Sequence, residues 1–558
     1  MTQSSVRGEG TRSNVRRARG LDWADGPPQE DAAEPDGDGP GRGGDRRPGH
    51  GHRGGGKRRV LRWSATTLAL LILGTAAAGY LYYEHLNGNI RKGQRSSGDA
   101  KAQRSEPNAA GQTPLNILLI GSDSRASDEN VKLGGSRENR NNPPLGDVQM
   151  LIHLSADRKS AAVVSIPRDT RVTIPKCTDP DTGRVYPETT DIINVSLARG
   201  GAGCTLATWE NLTGVYIDHW MTIDFAGVVK MADAIGGVEV CVNQNVWDHP
   251  LPGVPGGSGL KMTAGAHKVK GEQALQWLRT RHAWGSDLLR ARAQHMYMNS
   301  MIRTLKGQDV FTGTGRLMDL AEAATKSLKV SEEIGTVKKL YGLGMQLKTV
   351  PTDRITMTTM PNVADPQNRD HVVPDGGNAE KVWRMLRDDV PFDDKGTSSG
   401  AKDAEKKASD EAEAVKDPSV PADRLGVVVQ NATRTATEAP VSGRASAISG
   451  ELVRKGFGRA TADGSAALSA DETVVRYPSA ELEGDAQSVA KALGLPMSSV
   501  RKTTDVSGVT VVVGADWRTG TAYPKQSAPK AGDLPGNSDA LNGADSGQCM
   551  DVYAPYRW

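Results

Sequence analysis

The chain has 558 residues, of which 37% are hydrophobic, with 64 Gly, 30 Pro and only 4 Phe. That length exceeds what one core organises and suggests about two to four units, while the Gly and Pro content assigns much of the chain to linkers or unfolded tails. A formal net charge of +3 is too close to balance to name a partner, so any electrostatic argument must be local.

Residues 1–59 are rich in Gly, Arg, Asp and Pro without apolar periodicity, and a disordered tail is expected. Its arginines invite a nucleic-acid reading, but acidic residues are interspersed and aromatics scarce, so no nucleic-acid partner is expected. Contact with anionic membrane lipid is the blander reading. Residues 60–83 are the expected transmembrane helix. Ser64 to Tyr83 is a run of 20 residues without a charge, about 30 Å of helix, the thickness of a bilayer's hydrocarbon core. Trp63 stands at one end and Tyr80, Tyr82 and Tyr83 at the other, like interfacial belts. Lys57, Arg58, Arg59 and Arg62 lie on the N-terminal side. The positive-inside rule then places the tail in the cytoplasm and the bulk of the chain outside a single-pass cell membrane. A signal peptide cleaved near Ala76–Ala78 is the rival reading, and the long tail before the span argues against it.

All four cysteines (Cys177, Cys204, Cys241, Cys549) follow the span, in an oxidising compartment under that topology. Cys177 and Cys204 bracket a Gly- and Pro-containing loop, and a bridge between them would stabilise by about 3–4 kcal/mol. Free buried thiols are the alternative. No CxxC or Cys/His spacing suggests a metal. Cys241 is the obvious mate for Cys549.

After an expected linker at 84–113, residues 114–391 read as a folded α/β domain. Ile117–Ile120 is a wholly apolar central strand, followed by Gly121-Ser122-Asp123-Ser124-Arg125. Val148–Leu154 and Ala161–Ile166 form an expected hairpin centred between Asp157 and Arg158. Folding about that centre sets Asp147 opposite Arg168 at the open end, within a residue or two. Pro167 ends the second strand. Helices are expected at Thr205–Thr213, Asp224–Ile235, Glu272–Leu278, from Leu288 with Asp287 as N-cap, at Ser331–Lys348 and at Asn378–Val390. Gly236–Val242 alternates like a strand.

Asp123, Arg125, Asp147, Arg168, Asp169, Arg279, Arg281, Asp287 and Arg290 each stand at or near the end of an apolar element. Guanidinium forks suit a ligand with several phosphate oxygens. Carboxylates suit Mg²⁺, which takes one or two from the protein and leaves the rest to phosphate and water. A further carboxylate can accept a proton from an attacking hydroxyl. The set reads as phosphoryl-transfer equipment, although any one Arg-Asp pair alone is more often a surface ion pair. His282 reads as a base or as a hydrogen-bonded structural histidine. Gly256-Gly257-Ser258-Gly259 is a loop and not a Walker motif.

In this order, the residues resemble the LytR-CpsA-Psr family of envelope enzymes. The likeness runs through Asn116–Arg125, Asp147, Ser165-Ile166-Pro167-Arg168-Asp169-Thr170, Ile193-Asn194, Asp224-Phe225, Gly236-Gly237-Val238, Arg279-Thr280-Arg281-His282, Ser286-Asp287 and Arg290. It implies a mixed-sheet α-β-α domain that transfers a glycopolymer from a polyprenyl-pyrophosphate carrier to peptidoglycan as a phosphodiester. By resemblance, Arg125, Arg168, Arg279, Arg281 and Arg290 hold the pyrophosphate. Asp123 and Asp147 hold Mg²⁺ or act with it, and Asp169 and Asp287 orient arginines. One departure is Leu145, where the family carries an arginine two residues before the aspartate; Arg137 and Arg140 in the preceding loop are candidate substitutes. A pyrophosphatase acting on the same carrier and a non-catalytic lipid-binding scaffold are the alternatives.

Residues 392–423 read as a charged linker. Residues 424–515 read as a small α/β domain, with strands at Leu425–Gln430, Glu472–Tyr477 and Gly508–Gly514 and helices at Ala445–Lys455 and Ala486–Leu493. It resembles the LytR C-terminal domain and carries no catalytic set, which suits a binding or positioning module. Residues 516–558 are expected to be disordered apart from Cys549.

Overall fold

The computed structural model describes residues 55–558 except 101, 109, 125–126, 135–139, 141, 308–313, 396–415, 436–437, 466–467, 471, 504 and 525–528. Most of the N-terminal tail and of the 392–423 linker, together with Arg125 and Arg137, therefore lie outside the described residues. The chain divides into Met1–Leu73 and Gly74–Trp558. All described residues of the first unit are helical, part of one α-helix over Gly55–Asn89. Its Val60–Asn89 stretch is, among the described residues, the one helix long and apolar enough to cross a membrane. Leu68, Leu70, Leu71, Ile72 and Leu73 are all exposed, as a lipid-facing surface requires.

The helix continues past the expected boundary at Tyr83, and the segment read as a linker is partly structured. Leu86 and Ile90 are buried, and Arg91–Gly93 pairs in parallel with Leu328–Ser331 as an edge strand. Two cations and a glycine at a sheet edge carry no periodicity; their order comes from the partner strand and from Ile90 in the core.

The second unit is built on an eight-stranded mixed sheet. In spatial order the strands are Arg91–Gly93, Leu328–Ser331, His219–Ile223, Leu115–Ser122, Gly146–Leu154, Ala161–Ser165, Ile355–Thr359 and Leu541–Asn542. The central strand Leu115–Ser122 runs antiparallel to Gly146–Leu154 and parallel to His219–Ile223. Alternate residues enter different cores. Leu118, Ile120, Leu151 and Val164 meet Trp209 and Trp383, from helices Ser196–Thr213 and Gly376–Arg387. Leu115, Ile117, Met150 and Val163 meet Leu343 of the helix Val337–Thr349. Both faces are covered, which is why the strands read as continuous apolar runs.

Three helices differ from expectation. Ser196–Thr213 starts well before Thr205, with non-helical backbone at Gly200 and Gly201; the glycines break the apolar period that would have announced it. Leu328–Ser331 is a strand, and the helix expected from Ser331 begins at Val337 behind Thr336, whose hydroxyl accepts from Lys339 N–H. Thr314–Ser327 is a helix the sequence reading did not anticipate.

A five-stranded sheet forms the C-terminal domain, in the order Arg459–Ala462, Gly426–Asn431, Val509–Val513, Val474–Tyr477 and Val500–Lys502. The helices Arg444–Arg454 and Glu483–Leu493 pack on it around Val429, Ile448, Val489 and Val511.

The tail after this domain is the largest correction. It returns to the first sheet, where Leu541–Asn542 pairs antiparallel with Ile355–Thr359. Leu541, Met550, Val552 and Tyr556 are all buried. Cys549 is bonded to Cys241 across 308 residues, and Cys177 to Cys204 across 27. Isolated apolar residues among polar ones look disordered in sequence because the surfaces that bury them lie far away along the chain.

His295 is fully buried on the helix Asp287–Gly307. Its ring nitrogens have no hydrogen-bond partner among the described residues. Burial, helped by the charge of Arg292, lowers its pKa to about 4. The unfolded chain binds this proton below its ordinary value of 6.5 and the folded chain does not, so stability is intact above that pH and falls towards about pH 4. The expected loss is about 3 kcal/mol at full titration. Chemical denaturation at a series of pH values checks it: His295→Leu should flatten this part of the profile, and an unchanged slope would exclude His295 as its cause.

Candidate functional site

The turn after Ala161–Ser165 is fixed by its own backbone. Thr170 donates from both N–H and hydroxyl to the Pro167 carbonyl (3.0 and 2.6 Å). Asn194 N–H donates to Arg168 O (3.3 Å) and Val372 N–H to Asp169 O (3.1 Å). Across the hairpin, Met150 faces Ser165 and Leu151 faces Val164, the register that sets position 147 against 168. A bulge supplies the remaining aim. Gly121 pairs with Val148 but Ser122 pairs with Gly146, so Asp147 is the extra residue. Arg168 Nη1 donates to Asp147 Oδ1 (3.1 Å) and its Nε to Asp169 Oδ2 (3.3 Å).

These residues line a cavity of about 490 Å³ at one end of the strands, together with Asp123, Asn194, Arg279, Arg281, Asp287's partner Arg290, and the loop at Gly257–Ser258. Asp123 Oδ1 accepts from Leu145 N–H (2.7 Å). Arg279 donates to the carbonyl of Leu133 (2.9 Å), with its guanidinium over the Phe225 ring. Asp287 pairs with Arg290 (3.0 Å) and Arg281 (3.6 Å). Its expected role as N-cap belongs to its neighbour: the helix begins at Asp287, and the Ser286 hydroxyl accepts from Leu289 N–H (3.2 Å). Asp224 is the cap of Phe225–Ala234, accepting from Gly227 N–H and from Asn130 Nδ2 (both 2.9 Å).

The electrostatics of the two partly buried arginines differ. Burial opposes the charge on Arg168, but Asp147, Asp169 and Asp287 outweigh it and raise its pKa. Arg290 is buried more deeply. Desolvation there, aided by repulsion from Arg168, overcomes the carboxylates and lowers its pKa. Since guanidinium stays charged at any working pH, Arg290, paired with Asp287 and repelled by Arg168, is a cation that an anion in the cavity would stabilise further.

Leu145 lines the cavity, and Arg140, offered as a replacement for the missing arginine, pairs instead with exposed Asp128 (2.8 Å). Sequence reasoning passed over Asp248, Ser258 and Gln294, which also line the cavity. The Gly256–Gly259 stretch is indeed a loop, but a site loop. Gly257 has φ +132, and a Cβ there would lie 2.8 Å from the Asp248 carbonyl oxygen, so glycine is required for that approach. His282 Nε2 faces Arg281 Nη2 (3.2 Å) and its ring stacks on Tyr556 of the C-terminal tail. The glycine-rich run at 256–259 was the signal available in the sequence.

The chain is 29% identical over 327 residues to the cell wall biosynthesis protein LcpA of Corynebacterium glutamicum, covering 54% of this chain and 60% of the relative. It is 24% identical over 306 residues to the polyisoprenyl-teichoic acid–peptidoglycan teichoic acid transferase TagT of Bacillus subtilis, covering 54% of this chain and 87% of that protein. It spans 60% and 51% of the length of LcpA and of the probable cell wall biosynthesis protein LcpB from the same organism. The crystal structure of B. subtilis TagV aligns at a TM-score of 0.37 and 23% identity, covering 50% of this chain and 97% of that one. Residues 424–517 match the LytR cell envelope-related transcriptional attenuator domain. Residues 80–388, more than half the chain and including every strand that lines the cavity, match the LytR_cpsA_psr family, and the chain is a member of that family.

Proposed function

We propose that the protein is a membrane-anchored phosphotransferase that moves a glycopolymer from a polyprenyl-pyrophosphate carrier to peptidoglycan, forming a phosphodiester. The observation that carries this reading is geometric: Arg168, Arg279, Arg281 and Arg290 line one cavity. A pyrophosphate supplies negative charge, and guanidinium forks bind its oxygens in pairs. Asp169 and Asp287 hold the arginines in position before the ligand arrives. The name of the Bacillus subtilis relative points to the same chemistry.

Asp123 and Asp147 are the carboxylates suited to a Mg²⁺ ion, since two protein carboxylates with phosphate and water complete its usual shell. When bound, the ion would neutralise charge on the pyrophosphate oxygens. The basic cluster before Val60 supports a cytoplasmic N-terminus and a cavity outside, where both disulfides are stable. The C-terminal domain serves binding or positioning.

The test is transfer of labelled glycan from a polyprenyl-pyrophosphate donor to peptidoglycan by the detergent-purified protein. Chelation of divalent ions is expected to lower the rate at least about 100-fold, with recovery on adding Mg²⁺. Full activity in the chelator would remove the metal from the proposal. Phosphate release that needs no glycan acceptor would convert the reading to a pyrophosphatase.

A further inference from the structure

We propose that Asp248 is the residue that takes the proton from the acceptor glycan's hydroxyl; this rests on the phosphotransfer reading above. Six aspartates line or flank the cavity, and five have other work. Asp147, Asp169 and Asp287 are ion-paired to Arg168, Arg281 or Arg290. Asp224 caps a helix, and Asp123 accepts from the Leu145 backbone. An aspartate held by an arginine is a poor base, because its charge is already neutralised and its lone pairs are engaged.

Asp248 is paired with no arginine among the described residues, whereas Asp287, which also has a buried oxygen without a hydrogen bond, is held by Arg281 and Arg290. Asp248 is 1% exposed, and its Oδ2 accepts from Ser258 N–H (2.8 Å) while Oδ1 has no hydrogen-bond partner among the described residues. A buried carboxylate oxygen without a donor is costly unless a ligand supplies one. The fold holds it there deliberately. Asp248 N–H donates to Leu260 O and its carbonyl accepts from Gly259 N–H (both 2.9 Å), while Gly257 presses on the same backbone at a distance that excludes a side chain. His282 lines the same cavity, and its Nδ1 is also buried without a hydrogen-bond partner among the described residues. Because Arg281 Nη2 donates to Nε2, the ring's proton sits on Nδ1 and is a donor awaiting an acceptor. Two residues that line the cavity thus carry an unsatisfied acceptor and an unsatisfied donor, and a sugar hydroxyl is able to satisfy either.

In the step, the acceptor's hydroxyl oxygen attacks the phosphorus that carries the glycopolymer. Its proton passes to Asp248 Oδ1. The bond from that phosphorus to the bridging oxygen breaks, and the electron pair stays on the oxygen of the departing prenyl phosphate, whose charge the arginines neutralise. Asp248 then releases its proton to solvent.

The full-length protein in detergent provides the test, with calorimetric binding of geranylgeranyl pyrophosphate and transfer from a prenyl-pyrophosphate-linked disaccharide to peptidoglycan fragments as separate readouts. Asp248→Asn keeps an oxygen for the Ser258 N–H. It should bind geranylgeranyl pyrophosphate within about threefold of the parent while transfer falls about 100- to 10,000-fold, and Asp248→Glu should recover part of the loss. Retained binding also shows that the variant is folded. Transfer by Asp248→Asn within about threefold of the parent would overturn the assignment, as would a loss of pyrophosphate binding as large as that of Arg168→Ala. If the parent neither binds the pyrophosphate nor transfers, the phosphotransfer reading itself fails and the assignment falls with it. A working parent with an active Asp248→Asn removes Asp248 alone.

Discussion

Arg168→Ala is expected to lower glycopolymer transfer by at least about 1,000-fold, the scale set by arginines that stabilise phosphoryl transfer. Arg168 lies between two carboxylates, Asp147 on the strand Gly146–Leu154 and Asp169 in the turn after Ala161–Ser165. Removing it deprives the cavity of a cation and releases both aspartates, which then repel an incoming pyrophosphate. Arg168→Lys keeps the charge but loses the planar fork, so it should fall between the parent and the alanine variant. The side chain is partly exposed, and the turn that carries it is held by backbone hydrogen bonds to Pro167, Asn194 and Val372. Thermal unfolding should therefore move little. Unchanged transfer in a folded Arg168→Ala protein would sink the assignment of the pyrophosphate site.

Deleting residues 541–558 is expected to destabilise the main domain severely. The segment carries Leu541, Met550, Val552 and Tyr556, each at most 3% exposed. At about 1.5–3 kcal/mol per buried apolar side chain, their loss costs of order 6–12 kcal/mol, comparable with the whole stability of a domain. The sheet also loses its last strand, and Arg303 loses the carbonyls of Gly543 (3.1 Å) and Asp545 (2.7 Å). Cys549→Ser is milder: it removes the bridge to Cys241, for an expected loss of about 2–5 kcal/mol, and leaves the packing in place. Denaturant titration of the parent, Cys549→Ser and the deletion should rank them in that order. A deletion with parental stability would mean that the tail contributes nothing to the fold.

Much of the site was legible because its charged residues follow apolar strands, and a strand's end is a local feature. The hairpin count about Asp157 and Arg158 identified the partner of Arg168, since antiparallel register follows from arithmetic once the turn is placed. The bulge that re-aims Asp147 was not legible: it depends on Ser122 pairing with Gly146 on the other side of the strand. Asp248 was missed for a different reason. It lies in a loop-rich stretch where nothing marks one aspartate from another, and its burial comes from a glycine loop folding back upon it.

The helices show the same division. Phe225–Ala234 was announced by the glycines that end it, whereas Ser196–Thr213 was hidden by internal glycines whose distortion is tolerated because Cys204, Leu206 and Trp209 are fully buried on the sheet. By itself the sequence determined the membrane-length helix, the apolar strands, the order of the charged residues and the cysteine inventory, because each is set by neighbours within a few residues. Only the tertiary structure decided that the tail joins the eight-stranded sheet, that Cys549 reaches Cys241, that Arg290 faces both Asp287 and Arg168 and that Asp248 keeps an open oxygen. Those properties are set by what a side chain meets after the chain has closed on itself, and burial and charge balance are sums over neighbours that sequence distance does not reveal.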